Sequence, residues 1–125
     1  MQRFLLVALG GGLGSALRYG AGGAVQRLAR GGAFPFGTLA VNVLGCLLAG
    51  FASQLAEEHG ALHGDARIFV MAGLLGGFTT FSAFGNETVW LARQSEGQLA
   101  LLNVILQLAC GLGAVWLGRE VAAWT

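Results

Sequence analysis

The sequence predicts an all-α membrane protein of four transmembrane helices with a break in the third, forming one domain over residues 1–125. Three observations predict it. Hydrophobic residues make up 55% of the 125 residues and charged ones 10%, with a mean hydropathy of +0.69, whereas a soluble domain carries roughly 25% charge. Four apolar stretches, at about 4–26, 36–56, 67–91 and 98–121, come close to or exceed the roughly 20 residues that a helix needs to cross a bilayer. The third of them contains Gly73-Leu-Leu-Gly-Gly-Phe-Thr-Thr-Phe-Ser-Ala-Phe-Gly-Asn-Glu87, too rich in glycine and hydroxyls for an uninterrupted apolar helix. Irregular backbone survives at membrane depth only where protein or a water-filled cavity covers it, so the break marks the expected site.

The first span opens with Arg3 ahead of an apolar run, as a signal peptide does. No A-x-A-like cleavage site follows and apolar character resumes after Arg18, which predicts a retained span. Gly31, Gly32 and the only proline, Pro35, mark a turn before the second span. The second connection, Glu57 to Arg67, is the most polar part of the chain. Its His59 and His63 stand at i, i+4, but two glycines make this a solvated loop rather than a metal-binding helix. Arg93-Gln-Ser-Glu-Gly97 separates the third span from the fourth. Cys46 and Cys110 lie in apolar runs without C-x-x-C spacing and are expected as small buried thiols.

Composition also excludes function classes. The net charge is +1 and all cations are dispersed arginines, so there is no basic field for nucleic acid and no polybasic tract for anionic lipid. The expected surroundings are membrane lipid. No Ser/His/Asp set, metal cluster or phosphate loop is present in the sequence, so an enzyme is not expected.

Short loops force the four helices to alternate in direction. Arg3, Arg67 and Arg119 then face one side, and Arg27, Arg30 and Arg93 the other. Equal counts give the positive-inside rule nothing to choose between. The balance suits a chain that inserts both ways and pairs as an antiparallel, dual-topology homodimer; it is equally compatible with one orientation winning through subtler effects. Glycine argues for association. Gly10, Gly14, Arg18 and Gly22 share a face of the first span, and Gly73 and Gly77 repeat the spacing in the third, an interval that lets helices approach closely in lipid.

Several polar groups lie inside the spans. Arg18 requires a partner, an aqueous vestibule that attracts anions, or a snorkelling path to the headgroups. Asn42, alone in an apolar run, either hydrogen-bonds across helices or meets a permeating ion. Glu87 is the only carboxylate away from the ends of the spans, suited to proton coupling, to lining a vestibule, or to pairing with Arg18. Asn103, Gln107 and Gly111 form one stripe of the fourth span, as a wet face or as interhelical glue.

Gly11-Gly-Leu-Gly-Ser-Ala-Leu-Arg-Tyr19, Pro35-Phe-Gly-Thr-Leu-Ala-Val-Asn42 and Gly76-Gly-Phe-Thr-Thr-Phe-Ser-Ala-Phe84 occur in the order and at the separations of the Fluc (CrcB-like) fluoride channel family, which the chain resembles over nearly all its length. The resemblance implies passive, selective fluoride conduction through a multi-pass antiparallel homodimer with two pores in the cell (inner) membrane. It implies a central sodium ion that is structural and not transported, and protection of microbes against cytoplasmic fluoride. Asn42 matches the pore asparagine, and Phe81 and Phe84 the phenylalanines facing fluoride. Gly76 and Thr79 match the positions whose carbonyls hold sodium. Thr80 and Ser82 match hydroxyls near the pore, Glu87 the acidic residue after the break, and Arg18 the arginine of the first motif. The chain departs from the family at Ala83, where Thr or Ser is common, and at Asn103 and Gln107, where tyrosine and serine are common.

Elementary chemistry agrees with this assignment. Fluoride is small, strongly hydrated and a pure acceptor, so a dehydrating pore must offer N–H, O–H or positive aromatic edges. Neutral carbonyls freed by a helix break suit a hard monovalent cation. The alternative from another class is a proton-coupled small multidrug exporter using Glu87. A non-transporting assembly subunit is a third possibility.

Overall fold

The computed structural model describes residues 1–30, 32–58, 60 and 62–125. Among the described residues are four helices long and apolar enough to cross a membrane. They are α1 (Gln2–Leu28), α2 (Phe36–Glu58), a composite third span (Gly64–Arg93) and α6 (Gly97–Ala123). The third span starts as α3 (Gly64–Arg67), widens into a π-helix (Ile68–Leu75) and returns to α-helix in α4 (Gly76–Phe78). It breaks at Thr79 and Thr80 and resumes as α5 (Phe81–Arg93). The break is therefore two residues long, and the π-helical turns before it carry no signature in the apolar pattern.

Polar ends extend the helices beyond the apolar stretches. Arg119 pairs with Glu57, and Gln2 and Arg3 reach Asp65 at 3.2 and 3.8 Å. These exposed pairs contribute little energy, but they tie the ends of neighbouring helices together. The turn before α2 is fastened by Gln26, whose amide donates to the carbonyls of Gly32 and Phe34 and accepts from the Gly37 N–H. Pro35 directly precedes α2, where its missing N–H leaves no helical bond unmade. His59 lies outside the described residues, so the i, i+4 histidine pair is not assembled from them.

Glycine sets the packing. A Cβ at Gly10 would stand 2.7 Å from the Phe69 carbonyl oxygen, and one at Gly14 would strike the Leu74 carbonyl with the Phe78 nitrogen at 2.8 Å. Gly77 is seated on Gly11 in the same way, and Gly37 on Gly22. On the opposite flank, Gly50 of α2 lies under the Val115 carbonyl of α6, and Gly118 of α6 under the Leu47 carbonyl of α2. The glycine stripes of the first and third spans are thus used within one chain, which corrects their reading as surfaces for association. Gly14→Ala is expected to destabilise the protein by about 1–3 kcal/mol through overpacking, read as a lower melting temperature in detergent; an unchanged melting temperature would refute this tight seat.

The cysteines also depart from expectation. Cys46 is half-buried, and Cys110 is exposed on α6 rather than buried.

Candidate functional site

A continuous helix would direct the Thr80 N–H to the Gly76 carbonyl. Here Thr79 and Thr80 are extended, and the Thr80 N–H donates instead to Asn42 Oδ1 at 2.8 Å. Asn42 Nδ2 returns a bond to the Thr80 carbonyl at 3.1 Å and gives its other hydrogen to Gln107 Oε1 at 3.1 Å. The amide carries two donors and one carbonyl, and all are engaged. In this arrangement Asn42 joins α2 to the break and to α6.

The carbonyls before the break divide into two sets. Gly77 O accepts from Arg18 Nε at 3.1 Å and Ser15 Oγ at 3.4 Å. Arg18 Nε therefore bonds a carbonyl, with no ion pair to Glu87; among the described residues the salt bridges are those of Arg3 and Arg119. A charge-assisted bond of this kind is roughly twice as strong as a neutral one. Gly76 O loses its helical donor because the Thr80 N–H turns to Asn42. Thr79 O loses its own because the Ala83 N–H bonds Thr80 Oγ1 at 3.2 Å. Among the described residues the carbonyls of Gly76, Phe78 and Thr79 all lack a hydrogen-bond donor.

Beyond the break, Thr80 caps α5 and its hydroxyl lies 3.1 Å from the Ser82 hydroxyl. Ala83 contributes its backbone N–H to this cap. Phe81 and Phe84 stand edge to face with ring centroids 5.3 Å apart. Phe81 is 79% exposed.

Two open cavities meet at Thr80. One, of about 600 Å³, is lined by Arg18, Thr38, Thr80 and Glu87 among others; the second, of about 390 Å³, by Asn42, Gly45, Thr79, Phe81, Phe84 and Gln107 among others. In the first, Thr38 Oγ1 donates to Glu87 Oε1 at 2.6 Å, while the buried Glu87 Oε2 has no partner among the described residues. Vestibule and aromatic recess therefore share Thr80 of the interruption as a lining residue.

The stripe on α6 divides in role. Asn103 is fully buried and donates to Thr88 Oγ1 at 2.9 Å, and Thr88 in turn donates to the Phe84 carbonyl at 2.7 Å. Gln107 receives Asn42, with its own Nε2 buried and without a partner among the described residues. Sequence reasoning missed Thr38 as the partner of Glu87, Ser15 as a second donor to Gly77, and Gly45 as a wall of the recess. Thr38, Asn42 and Gly45 share one helix face at i, i+4 and i+3 steps, the signal that links them.

The family model described as CrcB-like protein, Camphor Resistance (CrcB), matches residues 5–119. A fluoride-specific ion channel FluC of Thermus thermophilus is 51% identical over 121 residues, covering 97% of this chain and 95% of that protein. The protein of the same name from Methylobacillus flagellatus is 42% identical over 125 residues, covering 100% and 98%. A third, from Desulforapulum autotrophicum, is 45% identical over 117 residues, covering 94% and 93%. With the family's model matched across all four spans and its members alike from end to end, the chain belongs to the CrcB-like family.

Proposed function

We propose that the protein is a fluoride-selective passive channel that exports cytoplasmic fluoride, working as an antiparallel, dual-topology homodimer in the inner cell membrane. The observation that carries the reading is its full-length likeness to fluoride-specific ion channels. The geometry supports a physical route for it. An anion enters the vestibule beside the Arg18 guanidinium, passes the Thr80 and Ser82 hydroxyls and continues along Phe81 and Phe84. The N-terminal end of α5 carries the positive end of a helix dipole at the same place. Aromatic rims attract an anion without binding it too tightly to leave. Asn42 serves this path by holding its wall, with its hydrogens already committed to Thr80 and Gln107. The protein makes and breaks no covalent bond.

A second copy supplies the missing wall. Gly76 and Phe81 are exposed on one chain, and a carbonyl without a donor is costly in hydrocarbon. Gly76 and Thr79 would hold the sodium that the family resemblance implies, since they offer neutral oxygens that a two-fold axis would double. Hard cations take such oxygen sets. Held there, the ion would supply a fixed positive charge beside the break. The proton-coupled exporter reading finds no support. The relatives are ion channels, and Glu87 is hydrogen-bonded to the Thr38 hydroxyl.

Liposomes containing only this protein test the proposal. Fluoride is expected to leave rapidly when a potassium carrier balances charge, and chloride to stay. Equal rates for the two ions, or no flux at all, would overturn it.

A further inference from the structure

On α2, one turn beyond Asn42, Gly45 is buried against the break. The space a Cβ would take there is filled by Thr79 Cγ2, with Phe78 Cδ1 at 3.3 Å. Thr79 cannot turn this methyl aside freely. Its Oγ1 donates to the Leu75 carbonyl at 3.0 Å, the same oxygen that accepts the Thr79 N–H at 3.0 Å. Rotation about the Thr79 side chain gives up the first bond, and backbone displacement gives up the second. Any backbone shift at Thr79 also pulls Thr80 away from Asn42.

We infer that Gly45 is a positioning residue for the ion path: its missing side chain is the seat into which the Thr79 methyl closes, fixing the break where Asn42 grips it and where Phe81 and Phe84 begin. Asn42 supplies the polar half of the grip and Gly45 the steric half. The demand at Gly45 differs from that at Gly50 on the same helix. A Cβ at Gly50 would meet the Val115 backbone of α6, which lines the same recess, and not Thr79, so its clash does not involve the Thr79 methyl.

The inference rests on the fluoride-channel reading for its readout. Fluoride efflux from liposomes is compared for wild type, Gly45→Ala, Thr79→Ser and the double variant, with Gly50→Ala made in the same two backgrounds. Thr79→Ser keeps the hydroxyl bond and removes the methyl. Gly45→Ala is expected to slow efflux about tenfold or more in the wild-type background and about threefold or less in the Thr79→Ser background, the non-additivity of residues in contact. Gly50→Ala is expected to lose equally in both. Equal losses for Gly45→Ala in both backgrounds, no loss in either, or failure to assemble in both would overturn the positioning role. Absent efflux from wild type would sink the channel reading and this inference with it, whereas wild-type efflux without the rescue overturns this inference alone.

Discussion

Replacing either Phe81 or Phe84 with isoleucine is expected to slow fluoride efflux about thirtyfold while the protein still assembles. Isoleucine retains bulk and apolarity and removes the ring quadrupole. The attraction of a desolvated ion to an aromatic ring is worth about 2 kcal/mol by analogy with cation–π pairs, and each 1.36 kcal/mol on a barrier is tenfold in rate. The two rings meet edge to face at 5.3 Å, so removal of one also loosens the other, and the double substitution is expected to lose less than the product of the single losses. Efflux from liposomes, with size-exclusion elution to report assembly, checks this. Unchanged efflux in both single variants would remove the rings from the mechanism.

Asn42→Leu is expected to have the other large effect, on stability as well as on flux. Three hydrogen bonds end at this amide, and its loss strands the Thr80 N–H, the Thr80 carbonyl and Gln107 Oε1. A buried polar group left without a partner costs about 1–3 kcal/mol. Even allowing for relaxation, a loss of about 3 kcal/mol is expected, enough to lower the melting temperature clearly and abolish efflux. Gln107→Leu removes only one acceptor and leaves both bonds to Thr80 intact, so its loss is expected to be smaller. Equal melting temperatures for Asn42→Leu and wild type would refute the role of Asn42 in holding the break.

Much of this architecture is legible in the chain because the bilayer restricts its choices. Four apolar runs must be helices, since helices satisfy their own backbone, and the glycines and hydroxyls at residues 73–87 locate the interruption. What the sequence leaves open is which partner each polar group takes. Arg18 has several candidate partners from its position alone, and only three-dimensional packing turns it to the Gly77 carbonyl rather than to Glu87. The glycine spacing of the first span announces close approach of backbones, but not whether the approaching backbone belongs to the same chain. It does: Gly10 and Gly14 meet Phe69 and Leu74. Asn103 and Gln107 look like one polar stripe in sequence, yet they serve different neighbours, Thr88 and Asn42. The π-helix over Ile68–Leu75 has no apolar periodicity to betray it, because nearly every residue there is hydrophobic.

An asparagine side chain ends in the same donor and acceptor as a peptide unit. By facing Thr80 with both, Asn42 stands in for a neighbouring strand, making in effect a β-pairing one residue wide inside an otherwise helical bundle. Such a pairing takes the place of water as the solvent of an unwound backbone. At Thr80 the backbone is therefore satisfied whether its surroundings are wet or dry, and an ion shedding its hydration shell nearby need not leave a molecule of that shell behind for this residue.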